Sequence, residues 1–274
     1  MAAVNNVDRD SYPKETTMAT RPTAPLGAPI WIDLSTSDID RAQEFYSAIF
    51  GWTFESPGAD YGGYRNAFAD GRYVAGLMPN NPEWGMPDGW NTYLHTADVH
   101  ATVAGVDAAG GCACGDPMEV PGKGWMAMVT DPSGAMVGLW QPTGHRGFEV
   151  VGEAGAPLWY QLTATKNYAA TLRFYTELLG WHLRVEADTD EFRYTVGTFD
   201  GEDGVGVMDG QSLPDGTPSD WIIFFGVEDV DATLEAVVAR GGSVTRGAED
   251  TPYGRLAAAT DPTGAAFNVS SLAH

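Results

Sequence analysis

Apolar and polar residues alternate from Ile30 to Thr36 in IWIDLST, the period-two pattern of a strand with one buried face. Ser37-Asp38 follows as a helix start, and residues 40–50 place Ala42, Phe45, Tyr46, Ile49 and Phe50 on one helical stripe. Gly51 stands where a glycine ends a helix. Short strand patterns at 52–56, 64–69 and 73–78 complete a βαβββ unit. A second unit opens at Trp90. It has a strand at 91–96, a helix at 99–109, a Gly110-Gly111 stop, and strands near Cys112, at 125–129 and at 136–141. Asp131-Pro132-Ser133-Gly134 reads as a hairpin turn between the last two.

The same plan then repeats. IWIDLSTSDIDRAQEFYSAIFGW at Ile30 is echoed by LWYQLTATKNYAATLRFYTELLGW at Leu158. The block from Trp90 returns at Trp221, and the block from Gly124 returns at Gly254. Three blocks in one order, spaced by about 130 residues, mark a duplicated domain. The second copy predicts strands at 159–165, 182–186, 193–198, 205–208, 222–227, near 244, 255–260 and 265–270, with helices at 169–179 and 230–239. The fold class is α+β, with four βαβββ modules in two tandem domains, 29–142 and 157–274. Residues 143–156 form the linker. Residues 1–28, polar and Pro-rich, read as a flexible arm with Met18 as an alternative start. Two Pro/Gly-rich loops, 79–89 and 209–219, occupy matching places and are long enough to serve as lids or binding loops.

Composition narrows the function. The 274 residues carry a net charge of −22. That disfavours nucleic acid, which needs clustered Lys and Arg, and anionic membranes. No apolar run reaches membrane-helix length and the N-terminus has no apolar signal core, so a cytoplasmic location is expected. Cys112 and Cys114 read as small strand residues in a reducing compartment, with a redox or metal pair as the alternative. There is no phosphate-binding glycine loop and no nucleophile elbow.

The pattern D-x-x-R-A-x-x-F-Y-x-x-x-F-G-W, then V-x-D-V-x-A-T and D-P-[ST]-G, resembles the vicinal oxygen chelate superfamily, which includes glyoxalases, bleomycin-resistance proteins and extradiol dioxygenases. More narrowly the chain is similar to tandem-domain actinobacterial proteins of hydroxylase or glyoxalase-like type. The resemblance implies modules curling into half-barrels around a cavity. It also implies a divalent metal held by His, Gln and Glu. The ligand positions fall on Trp31, Asn91 and Gly138, with a fourth near Gly76. In the second half they fall on Trp159, Ile222 and Asn268, with no acid near Gly206. Trp and Gly side chains cannot ligate and neutral Asn is a poor ligand. The expectation is therefore no metal and no other cofactor.

Strand alternation places Trp31, Asp33 and Ser35 on the cavity face with Asn91, Tyr93 and His95, and with Met136, Gly138 and Trp140. The second copy has Trp159, Gln161 and Thr163 with Ile222, Phe224 and Asn268. Asp33, Tyr93 and His95 are matched there by Gln161, Phe224 and Gly226, so the first half carries the chemistry. Asp33 and His95 are the candidate acid/base pair and Tyr93 the oxyanion donor. Trp31, Asn91, Met136, Trp140, Trp84, Trp159, Gln161 and Asn268 are candidate binding residues. Phe45-Tyr46, Phe174-Tyr175, Trp52 and Trp181 read as core. His100 and His182 have no evident partner, and His145 lies in the linker. Four readings stay open. One is a metal-independent enzyme acting on a small aromatic or polyketide-like molecule by isomerisation, cyclisation, lyase chemistry or cofactor-free oxygenation. The others are a protein that sequesters such a molecule, a pure interaction protein with filled cavities, and a glyoxalase proper. The chain is expected to be a monomer or homodimer.

Overall fold

The computed structural model describes residues 23–272. Its elements follow the predicted modules. The first holds β1 (Pro29–Thr36), α1 (Ile39–Phe50), β2 (Thr53–Glu55), β3 (Arg65–Ala69) and β4 (Arg72–Pro79). The second holds β5 (Gly89–His95), α2 (Val99–Val106), β6 (Cys112–Ala113), β7 (Met118–Val120), β8 (Gly124–Thr130) and β9 (Met136–Pro142). The third holds β10 (Pro157–Ala164), α3 (Tyr168–Leu179), β11 (His182–Asp188), β12 (Arg193–Phe199) and β13 (Glu202–Asp209). The fourth holds β14 (Asp220–Val227), α4 (Val230–Ala239), β15 (Ser243–Thr251), β16 (Gly254–Thr260) and β17 (Ala266–Ser271). The short β7, absent from the sequence pattern, pairs with β8. Aspartates cap three of the helices, Asp38, Asp98 and Asp229 each accepting a backbone N–H of the first turn.

Modules pair within each half. In the first sheet the order is β2-β3-β4-β1-β5-β9-β8-β6, and in the second β11-β12-β13-β10-β14-β17-β16-β15. Each module's first strand runs parallel to its last, and the two first strands meet antiparallel at the centre. One face of each sheet, including Ile30, Ile32 and Leu34, is fully buried against the helices. The other face is left for a site. The sheets curl until their ends meet: Tyr61 Oη donates to Pro121 O at 3.0 Å, and Tyr253 Oη to Glu186 Oε1 at 3.4 Å.

The halves join through the helix layer, α1 packing on α4 and α2 on α3. The predicted core aromatics make this joint. Tyr175 Oη donates to Asp131 Oδ2 at 2.9 Å, and Tyr46 Oη to Asp261 Oδ2 at 3.2 Å. Each aspartate also accepts its own turn's N–H and hydroxyl donors through Oδ1, from Ser133 and Ala135 or from Thr263 and Ala265. Trp52 Nε1 donates to Gly155 O, and Trp181 Nε1 to Gly27 O.

Most of the predicted arm, residues 1–22, lies outside the described residues. Its last stretch, 23–28, is not free, which corrects the expected boundary: Ala24 and Ala28 are buried and Gly27 takes the Trp181 bond. The linker is likewise packed. Phe148 N donates to Ile30 O at 3.1 Å, Glu149 N to Tyr73 O at 2.9 Å, and Arg72 grips both carboxylate oxygens of Glu153. No helix of the described residues is long and apolar enough to cross a membrane.

Removing the Tyr175 hydroxyl leaves a buried carboxylate one donor short. Tyr175→Phe should cost about 1–3 kcal/mol in urea unfolding, and a change below a few tenths would show that the bond does not hold the halves together.

Candidate functional site

On β1, Trp31 and Asp33 face away from the helices, and pairing sets Trp31 opposite Tyr93 and Asp33 opposite both Asn91 and Gly76. Tyr93 in turn lies beside Gly138 of β9. Asn91 Nδ2 donates to Asp33 Oδ1 at 3.0 Å and to Ser35 Oγ at 3.1 Å. Trp31 Nε1 donates to Tyr64 Oη at 2.9 Å. Asp33 is only 4% exposed, and burial pushes its carboxyl up to about 6 against the pull of hydrogen bonds from Asn91 and Tyr93. Burial and the nearby Asp33 charge push the Tyr64 and Tyr93 hydroxyls well above the ordinary phenol range. The site thus joins one carboxyl poised near neutrality to two phenols that stay protonated.

Pairing brings Trp31, Asp33, Asn91 and Tyr93 onto adjoining strands, and Met136 opens β9, the strand that pairs with β5 beyond them. The pairing of Asp33 with His95 does not form, because register opposes Asp33 to Asn91, four residues earlier on β5, about 13 Å along the strand. The His95 ring nitrogen Nδ1 instead donates to Ala24 O at 2.6 Å, fastening residues 23–28 to the sheet. Trp140 lies beside His95, and its indole N–H donates to His145 O at 3.0 Å. Trp84 ends a short 3-10 turn (Pro82–Trp84), but its side chain lies outside what is described. Trp159, Gln161 and Asn268 belong to the other sheet.

Two participants escaped the sequence reading. Tyr64 precedes β3 and fills the space over Gly76, where an added Cβ would lie 1.8 Å from its hydroxyl. Its repeat, Tyr194 over Gly206, does the same in the second half; recurrence at the same offset was the available signal. The other is His145. The strap 143–150 lays its imidazole edge-on to Trp31, with ring centres 4.3 Å apart, and Phe148 covers Trp31 at 5.5 Å. Burial and Lys123 push the His145 imidazole down to about 4, so it is neutral.

The superfamily's metal positions are therefore built differently here. Trp31 spends its N–H on Tyr64, Asn91 spends its amide on Asp33 and Ser35, and the Tyr93 ring lies 2.2 Å from where a Gly138 Cβ would stand. These residues do not fit a divalent metal. Among the described residues, no three His, Cys, Asp or Glu side chains group as metal ligands.

Paired βαβββ modules, central antiparallel first strands and a concave face built around these positions define a glyoxalase-type tandem protein. The chain belongs to the Glyoxalase/Bleomycin resistance protein/Dioxygenase superfamily, whose family model matches residues 29–139 and 160–269. It is 37% identical over 249 residues to the Mycobacterium tuberculosis protein named "Putative glyoxylase CFP32", covering 89% of this chain and 94% of that one. It is 35% identical over 263 residues to "Anthracycline biosynthesis protein DnrV" of Streptomyces peucetius, covering 90% and 94%. The fold is also similar to a Mn(II)-bound glyoxalase from Novosphingobium aromaticivorans, with TM-score 0.63 and 16% identity over 91% of this chain and 83% of that one.

Two outcomes follow. Gly76→Ala should destabilise the protein by about 1–3 kcal/mol through overpacking. Tyr64→Ala in the same chain should recover part of that loss, and strict additivity of the two would refute the ring-over-glycine packing. Asp33 has a folded pKa above its unfolded value, so its stabilising share is full below about 4 and lost as pH rises through about 6. Asp33→Asn should therefore gain stability relative to wild type at pH 8 but not at pH 4, by up to about 3 kcal/mol, read from thermal melts at both pH values.

Proposed function

We propose that the first half performs acid/base chemistry on a small aromatic or polyketide-like molecule without a metal. The observation that carries this is the Asp33 carboxyl, held near pH 6 in a face whose other polar groups are neutral donors. A group with that affinity takes and returns a proton near neutrality with little penalty. Tyr93, and Tyr64 beside it, would stabilise the oxyanion or enolate that a proton transfer creates. Asn91 orients the carboxyl. The reaction class that fits is proton-transfer chemistry, namely isomerisation, cyclisation or elimination. The name of the Streptomyces peucetius relative supports the ligand class. Metal independence is supported by the side chains filling the superfamily's ligand positions, and for the same reason a glyoxalase proper ranks below this reading.

A second reading, holding a molecule without converting it, draws on the burial of this face, where Trp31 and Asp33 are each only 4% exposed and His145 and Phe148 of the strap lie against Trp31. The two separate on turnover of whichever aromatic polyketide-type compound most strongly quenches the indole fluorescence. With Asp33 as base, kcat/KM should rise with pH through about 6. Asp33→Asn should lower kcat by about a hundredfold or more and abolish that limb, and Tyr93→Phe should lower kcat by about tenfold or more. Exhaustive chelation should leave the rate unchanged. Full turnover by Asp33→Asn would overturn the acid/base reading, and loss of activity restored by added metal would overturn metal independence.

A further inference from the structure

The concave face of the second sheet departs from the first in three respects. Its chemistry is neutral. Register sets Trp159 opposite Phe224, Gln161 opposite Gly206 and Ile222, and Phe224 beside Asn268, so these side chains share one face. Trp159 Nε1 donates to Tyr194 Oη at 3.0 Å, and Tyr194 Oη donates to Gln161 Oε1 at 3.3 Å. Burial pushes the Tyr194 hydroxyl up to about 12, so it keeps its proton. Where the first half carries Asp33 and His95, this one carries Gln161 and Gly226.

The face is also less covered than the first among the described residues, although Phe224 and Asn268 at its floor are buried. Trp159, Gln161 and Tyr194 are half-buried, whereas Trp31 and Asp33 are buried. Among the described residues no ring stacks on Trp159 as His145 and Phe148 do on Trp31. Finally, the rim is aromatic. Phe192 and Tyr253, 48% and 73% exposed, stand where the first half has Gly62 and Lys123. The Phe192 ring stacks on Tyr194 at 5.8 Å and 18°. Tyr253 reaches across to Glu186 of β11, so it stands where the sheet's two ends meet.

We propose that this face is a second, non-catalytic binding site for a neutral, flat aromatic molecule bearing carbonyl and hydroxyl oxygens. Gln161, Tyr194 and Asn268 supply amide and phenol groups to those oxygens, Trp159 and Phe224 form the apolar wall, and Phe192 and Tyr253 flank the mouth. Gln161, Tyr194, Asn268, Trp159 and Phe224 carry no charge, so an ionised ligand seated on them would shed its hydration without an ion partner there; the paired charges of Arg184 and Glu186 stand at the rim. None of these five side chains exchanges a proton near neutral pH, so the molecule is held and not converted. The site shares its ligand class with the acid/base reading above but rests on different residues.

The test is titration of the full chain with neutral 1,4-dihydroxyanthraquinone, followed by calorimetry and indole quenching. Wild type should show a binding event that Gln161→Leu and Tyr194→Phe each weaken about tenfold. Phe192→Ala with Tyr253→Ala, on exposed side chains that leave the core intact, should weaken the same event about fivefold or more. Asp33→Asn should leave it within about twofold, because that carboxyl lies on the other sheet. No binding by wild type, or binding that the second-half variants leave within about twofold, overturns the proposal. Unchanged turnover in Asp33→Asn beside an intact second event would instead sink the acid/base reading alone.

Discussion

The tyrosine of one half donating to the turn aspartate of the other is the constraint on which the molecule is organised. Asp131 and Asp261 hold their own hairpins shut through one carboxylate oxygen and accept a tyrosine from the opposite helix through the other. A buried carboxylate needs its lone pairs satisfied. The hairpin ending each sheet and the helix opening the other half therefore keep a fixed relation. Tyr46 is tied further by Trp90 Nε1 donating to its hydroxyl at 3.0 Å. With the helix layers locked against each other, each sheet keeps its concave face turned away from this joint.

Within those faces one packing device recurs. A tyrosine hydroxyl lies over a glycine and accepts a hydrogen bond from a neighbouring indole, Trp31–Tyr64–Gly76 in one half and Trp159–Tyr194–Gly206 in the other. At these positions the side chains are taken up in ring packing, and the remaining polar group sets the character of each face. In the first it is a carboxyl raised by burial; in the second it is an amide that does not ionise. The strap deepens the difference, since His145 and Phe148 cover Trp31 and, among the described residues, no ring lies against Trp159 in that way.

Much of this was legible in the residues. Alternation in IWIDLST put Trp31 and Asp33 on one face, the glycine stops ended the helices, and comparison of the copies separated Asp33 from Gln161. Register was not legible, because alternation says which face a side chain takes but not which residue stands opposite; His95 was paired with Asp33 for that reason and turned out to anchor Ala24. The strap was hidden because PTGHRGFEVVGEAGAP has the composition of a connection, and its burial depends on Trp31 and Tyr73 waiting on the sheet. Tyr64 was passed over because alternation in 64–69 says nothing of the glycine on β4 that its ring covers. Tyr46 and Tyr175 were recognisable as core, but their hydroxyls' partners lie more than forty residues away.

The doubled contacts between halves have the reciprocal form of a two-fold dimer interface: Tyr46 meets Asp261 as Tyr175 meets Asp131, and Trp52 meets Gly155 as Trp181 meets Gly27. In a dimer of identical subunits every residue appears at both sites, so a change that suits one face is imposed on the other. Joining the copies through 143–156 lifts that symmetry while keeping the interface that symmetry built. An aspartate in one face and a glutamine in the other, or, among the described residues, a strap over one mouth alone, are arrangements that two identical chains cannot encode.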